Sequence, residues 1–374
     1  MALIRQEIAT IIGFLTLALF LVFGHMLAPE SLGLKVSILP LVIIFGVMLW
    51  GAFSVVRHAE SLATILGEPY GTLILTLSVI GIEVAVIAAV MISGADKPTL
   101  ARDTMFSVLM LVMNGLVGLC LIVGGLRHRN QIYNLQGANA YLAVLLPLAI
   151  LGLVLPRYTT SAPAGELSAL QTGFQIALSI ILYLIFLAVQ TVTHSDIFRQ
   201  PRDPEQGGVK AEVSGHQHQY VIKTVPYHII GLIAALLPIV LLSKKLALYV
   251  SFGIAATGAP LALGGFLVAA LILSPEALSA MHAARDNLLQ RSVNISLGSA
   301  LATIGLTIPA VLIIGWVTGE HIVLGLGTTD VVLLTLTLAV SLVTFISPRT
   351  NFLQGAVHLA LFTAYVVMIF DGID

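Results

Sequence analysis

Apolar residues run along this chain in long stretches, and polar residues gather in short clusters between them. Runs of about 20 residues, the length that crosses a bilayer as a helix, lie near 8–27, 36–66, 70–94, 98–126, 138–155 and 168–193. A polar stretch, 194–225, follows, and further runs lie near 226–257, 260–284, 290–318, 328–346 and 352–370. Two runs, 36–66 and 226–257, exceed one untilted crossing and carry charge (Arg57 and Glu60; Lys244 and Lys245). Each is either one long tilted helix or two shorter ones.

Composition agrees with the pattern. Of 374 residues, 58% are hydrophobic and 9% charged, against about 25% charged in soluble domains. Too few polar residues exist to cover a water-facing surface, so the chain reads as an all-α polytopic membrane protein with about eleven spans. The net charge of −1 gives no footprint for nucleic acid. The lipid bilayer is the expected surrounding, and a homo-oligomer is compatible with it. The single cysteine, Cys120, excludes an intrachain disulfide and reads as a small buried hydrophobe. The first run is longer than a signal-peptide core and lacks a clear small-residue cleavage site, so it reads as an uncleaved first span.

Basic residues orient the spans. With the N-terminus inside, Arg5, Arg57, Arg127, Arg129, Arg199, Arg202, Lys210, Lys223, Arg285, Arg291 and Arg349 collect on the inner side. Lys35, Lys97, Arg102 and Arg157 fall outside. The expectation is a plasma (inner) membrane protein with a cytoplasmic N-terminus and a periplasmic or extracellular C-terminus.

A weak internal repeat follows from 54–73 and 241–263. In both, basic residues precede an amphipathic turn and a Gly-x-Pro (Gly67, Pro69; Gly258, Pro260). Each then leads into an apolar run with a lone glutamate, Glu83 or Glu276. Residues 1–34 form an N-terminal span and loop, 35–193 a first unit of five spans, 194–225 a His-containing connector, and 226–374 a second unit of five. Five is odd, so the second unit is inverted relative to the first, as in many secondary transporters.

The two glutamates carry the chemistry. Glu83 has no basic residue within a helical turn, and an ionisable group there costs a few kcal/mol. Thr76, Ser78 and Gly81 are its polar company, and a local break there has to come from Gly81. Ser274-Pro275-Glu276 reads as a helix break, with Ser274 as a cap and Pro275 as a first helical residue. Such a break frees carbonyls near 271–273 and makes a hard-oxygen cation site beside Glu276. The alternative is a proline kink with Glu276 paired to a distant base. Asn114, Ser299 and Thr303 are candidate supporting oxygens, although each alone is more often an interhelical hydrogen-bond group. Glu60 and Glu68 read as a cation entrance or a solvated face. His194, His216, His218 and His228 suggest a metal or pH sensor, with a polar connector as the simpler reading.

Charge arithmetic points to exchange. Two bare carboxylates in a dry site repel, and either two protons or one divalent cation neutralises them. Removal from water also favours the protonated form, which keeps protons competitive. Calcium takes six to eight oxygens, and no His or Cys ligand for zinc or copper lies within a helical turn of either glutamate. No nucleophile–base set for an intramembrane enzyme is evident, so a transporter, not an enzyme, is expected, with no cofactor beyond the transported Ca2+, Na+ or K+ and H+.

The segments LATILGEPYGTLILTLSVIGIEVAVIA and SPEALSAMHAARDNLLQRSVNISLGSALATIGLTIP resemble the two alpha-repeats of the calcium/cation antiporter superfamily, in its proton-coupled branch and nearest the ChaA-type antiporters. The resemblance implies Glu83 and Glu276 as the cation- and proton-binding pair, Glu60 in a Glu-x-Leu-Ala pattern, and Asn114 near an Asn position. The Gly-Asn that precedes both glutamates in the wider family is replaced here by Val79-Ile80 and Leu273-Ser274. Two amide ligands are thus missing, and sodium or potassium joins calcium as a candidate ion.

Overall fold

The structure is a computed structural model and describes residues 2–67, 70–91, 98–201 and 223–371. Eleven long helices follow the expected runs. They are α1 (Ala2–Val22), α2 (Pro29–Leu66), α3 (Tyr70–Met91), α4 (Leu100–His128), α5 (Leu135–Tyr158), α6 (Ala169–Thr193), α7 (Val225–Thr257), α8 (Ala262–Arg285), α9 (Leu289–Thr318), α10 (Thr328–Thr344) and α11 (Phe352–Phe370). Among the described residues, eight are long and apolar enough to cross a membrane by length and composition.

The two overlong runs are single helices. α2 has 38 residues and α7 has 33. Pro40 and Pro238 lie inside them, tolerated because a break in hydrocarbon would strand backbone polar groups. One kink occurs near the start of α2, where Gly33 has φ 72° and ψ 165°. Both helices stop at a glycine with positive φ, Gly67 (67°) and Gly258 (68°). A side chain there meets a steric penalty, so the paired Gly-x-Pro signals of the sequence are helix stops.

Helix ends sort onto two faces. On one, His128 Nε2 meets the Arg285 carbonyl at 2.8 Å, Gln131 donates to the Ala284 carbonyl at 2.7 Å, and Asn294 donates to the Phe198 carbonyl at 2.7 Å. A short antiparallel pair, β1 (Gln131–Ile132) and β2 (Arg349–Thr350), lies there too, with Gln131 opposite Thr350. The start of α1 shares this face, since Tyr227 at the head of α7 donates to Glu7 at 2.7 Å. On the other face, Arg102 donates to the Gly325 carbonyl at 3.0 Å and Arg157 to Thr328 at 2.8 Å. An odd number of crossings puts the start of α1 and the end of α11 on opposite faces.

Packing is reciprocal. α2 lies along α7; α3 packs against α7 and α8 against α2. Buried side chains form two large clusters. One gathers α1, α2 and α7, with Ile82 and Val86 of α3 and Leu271 and Ile272 of α8. The other gathers α4, α5, α6, α9, α10 and α11, with Ile80 and Ile87 of α3 and Ala269 and Leu273 of α8. The helices that carry Glu83 and Glu276 therefore form the seam between two packed bodies.

Small residues set a close helix contact in the second body, as expected where lipid supplies no hydrophobic drive. A side-chain carbon at Gly355 of α11 sits 2.8 Å from the Gly118 carbonyl of α4 and 2.8 Å from the Ile122 nitrogen. Backbone cannot yield as a side chain does. Gly355→Val is expected to cost about 1–3 kcal/mol through overpacking and to lower the thermal midpoint of the detergent-solubilised protein. An unchanged midpoint refutes the close approach of α4 and α11.

Candidate functional site

Glu83 stands about 20 Å of helix from the start of α3 and about 12 Å from its end, at 1.5 Å per residue. Glu276 is placed similarly on α8. Both carboxylates turn toward α9. The Thr303 hydroxyl donates to Glu83 Oε2 at 2.9 Å, and the Ser299 hydroxyl donates to Glu276 Oε2 at 2.7 Å. Ser299 and Thr303 are one turn apart, so two neighbouring rungs of one helix hold the carboxylates of α3 and α8. The two carboxylates lie within electrostatic reach of each other.

α9 is shaped for this. Its hydroxyls recur in SLGSALATIGLTIP at Ser296, Ser299, Thr303 and Thr307, and residues 303–307 form a π-helical turn. Such a turn widens the helix by one residue and is frequent at functional sites. Thr307 lies beside the Glu83 carboxylate, outside hydrogen-bonding geometry. Glu83 is 3% exposed, and among the described residues its Oε1 has no partner in hydrogen-bonding geometry; the buried Thr307 hydroxyl has none either. Buried polar atoms are nearly always paired, so a polar acceptor and a polar donor lie open at one place. Thr307 was absent from the sequence candidates; the four-residue spacing of hydroxyls on α9 is the signal that finds it.

The structure corrects the helix break expected at Ser274-Pro275 and bears on two further readings. α8 runs unbroken through Ser274 and Pro275. Ser274 does not cap a new helix; its hydroxyl donates back to the Ala270 carbonyl at 2.5 Å. Only the carbonyl of Leu271, opposite the N–H that Pro275 lacks, is left without its helical partner. A full break strands several backbone groups and is the costlier solution in hydrocarbon. α3 is likewise continuous through Gly81, and the Ser78 hydroxyl donates to the Ile74 carbonyl of its own helix at 2.6 Å.

Asn114 is the last of these readings. It is fully buried in a π-helical turn of α4, Leu111–Leu116, but its amide serves another network. Nδ2 donates to Thr337 Oγ1 at 2.8 Å, and Oδ1 lies 3.3 Å from His358 Nδ1. Thr344 meets the other nitrogen of His358 at 2.9 Å. These bonds tie α4 to α10 and α11, so Asn114 acts as an interhelical hydrogen-bond group, one of its two sequence readings. Glu60 is half-buried on α2, near the face that carries the connector. Glu68, His216 and His218 lie outside the described residues.

Replacing Thr303 with Val removes a hydroxyl bonded to a charged acceptor, a loss of about 1.5–3 kcal/mol. Cation affinity in Thr303→Val is expected to fall about tenfold or more, measured as the half-saturating cation concentration for proton release, with Thr303→Ser close to the parent. Equal affinity in Thr303→Val and the parent removes Thr303 from the site.

Comparison with known proteins gives the same architecture. The family model described as sodium/calcium exchanger protein matches residues 36–192 and 227–370. The sodium-potassium/proton antiporter ChaA of Escherichia coli (strain K12) is 40% identical over 366 residues, covering 98% of this chain and 97% of ChaA. The crystal structure of the selenium-substituted Ca2+/H+ antiporter protein YfkE superposes with a TM-score of 0.70 at 21% identity, over 97% of this chain and 99% of YfkE. The H+/Ca2+ exchanger CAX gives 0.68 at 13%, over 97% of this chain and 88% of CAX.

Proposed function

The chain belongs to the sodium/calcium exchanger protein family, in the proton-coupled branch of the calcium/cation antiporters, and from that premise we propose that it exchanges a cation for protons by alternating access. The carrying observation is the pair of buried carboxylates held on adjacent turns of α9. Two carboxylates with the hydroxyls of Ser299, Thr303 and Thr307 supply the six to eight oxygens that calcium takes. One Ca2+ or two protons leave the site neutral. The doubly charged empty site is costly inside the membrane, so the loaded forms are the ones that change sides.

The units 35–193 and 226–374 are read as inverted repeats around this site, with 1–34 as an added span and 194–225 as the connector. The division is supported by the two matched segments and by the reciprocal packing of α2, α3, α7 and α8. The seam between the two buried clusters is where one body moves past the other. The protein is assigned to the inner membrane with its N-terminus cytoplasmic, and Glu60 to the cytoplasmic approach of the cation.

A monovalent cation is the second reading, favoured by the 40% identity to the sodium-potassium/proton antiporter ChaA. Na+ or K+ leaves one negative charge on the pair, so neutrality then requires one carboxylate to keep its proton. The two readings differ in proton count, two per Ca2+ against one per monovalent ion.

Purified protein in liposomes with a trapped pH dye, offered Ca2+, Na+ and K+ separately, tests the reading. Cation-driven proton flux is expected from the parent and is expected to vanish in Glu83→Gln and in Glu276→Gln, with both variants folded. Full exchange in either variant overturns the site assignment. Acidifying the cation-loading side is expected to raise the half-saturating cation concentration, because protons occupy the same oxygens; a half-saturation independent of pH sinks the competition.

A further inference from the structure

Glu7, Arg57, His58, Tyr227 and His228 form a second cluster of ionisable groups, on the face that carries the connector. It joins the start of α1, the last turns of α2 and the head of α7. Arg57 Nη2 lies 3.0 Å from Glu7 Oε1, and the Tyr227 hydroxyl donates to the same oxygen at 2.7 Å. His58 Nε2 is 3.2 Å from Glu7 Oε2, and His58 Nδ1 is 3.1 Å from His228 Nδ1. The backbone N–H of Lys223 donates to His228 Nε2 at 3.0 Å. Both imidazoles are buried, at 1% and 4% exposure. Gly231 of α7 makes the room, since a side-chain carbon there overlaps the His58 ring.

One donor fixes the protons of the whole row. The Lys223 N–H can only donate, so His228 Nε2 is an acceptor. A neutral His228 then carries its hydrogen on Nδ1 and donates to His58 Nδ1. Arg57 Nη2 also lies 3.1 Å from His58 Nε2, but its two hydrogens point to Glu7 Oε1 at 3.0 Å and to Ser54 at 3.2 Å, so His58 carries its hydrogen on Nε2 and donates to Glu7 Oε2. Both histidines are neutral, and every nitrogen lone pair is used.

An added proton has no vacant place among them. On His58 Nδ1 it sets two N–H groups against each other across the α2–α7 contact. On His228 Nε2 it faces the Lys223 N–H. Either cation also stands beside the Arg57 guanidinium. The charged and titratable groups facing the pair are Glu7 from α1, Arg57 from α2, Tyr227 from α7 and Lys223 before it, with Glu60 two residues along α2.

We propose that the His58–His228 pair is a second proton-binding site, separate from Glu83 and Glu276, whose protonation parts α2 from α7 on the connector face. It takes up protons from that side of the membrane. α2 and α7 pack side by side along their length within one buried cluster, so loosening one end loosens the body on one flank of the seam.

The test reads the helices directly and does not depend on which ion the glutamates carry. Spin labels at Thr64→Cys and Ile230→Cys, with Cys120→Ser, report the α2–α7 distance in detergent and in nanodiscs. Lowering the pH from about 8 to about 5, across the range where imidazole changes charge, is expected to lengthen or broaden the distance distribution. In His58→Gln and, separately, His228→Gln the distribution is expected to be the same at both pH values. Size-exclusion profiles check the folding of each variant, and either one alone suffices. A pH-insensitive distance in the labelled parent, or an undiminished shift in a folded variant, overturns the proposal. Loss of exchange in Glu83→Gln with the pH shift retained separates the two sites.

Discussion

Two carboxylates that must share one dry site are the constraint from which the rest of this structure follows. Each costs several kcal/mol in charged form at membrane depth, and together they add mutual repulsion. The fold answers by giving each a hydroxyl donor from the same helix, Ser299 for Glu276 and Thr303 for Glu83. That arrangement requires α3 and α8, far apart in sequence, to meet α9 at one level. The π-helical turn at 303–307 keeps hydroxyls aimed at the site where a regular helix rotates them away.

In the proposed mechanism, placement at a seam turns this local chemistry into transport. α3 and α8 each show one side to the α1–α2–α7 cluster and the other to the larger cluster. Packed interiors resist continuous deformation and move between discrete arrangements. Under the proposed alternating access, displacement of one body along the other changes which face the glutamates see while keeping both clusters dry. The second body is tied through the Gly118–Gly355 approach and the Asn114–Thr337–His358 network. The first hangs on long helices whose ends meet at ionisable side chains.

Much of this was legible from residues alone. The eleven runs became eleven helices because length and apolar continuity decide a span when every backbone group has to be satisfied inside it. The two glutamates stood out because nothing nearby neutralises them. The helix break at Pro275 was misread for a physical reason: the sequence shows the missing N–H, but not the Ser274 hydroxyl turning back to Ala270. Asn114 was ambiguous because an amide serves an ion and a neighbouring helix equally well, and only packing shows Thr337 and His358 already on it. The His58–His228 row was invisible because its members are 170 positions apart, and Arg57 and His228 read singly as topology and connector.

Continuity of α3 and α8 also moves the question of ion choice. With little freed backbone, the ligands are side-chain oxygens, and the balance between divalent and monovalent cations rests on charge more than on cage size. A monovalent ion fits a neutral site only if one carboxylate stays protonated. The two are not equivalent in this respect. Glu83 is 3% exposed with one oxygen unpartnered, whereas Glu276 is only part-buried and is held by Ser299. Under the proposed exchange, fuller burial and the open oxygen favour Glu83 as the carboxylate that keeps the proton. On this view the hydroxyls around Glu83, those of Thr303 and Thr307, decide the ion by deciding whether that proton leaves.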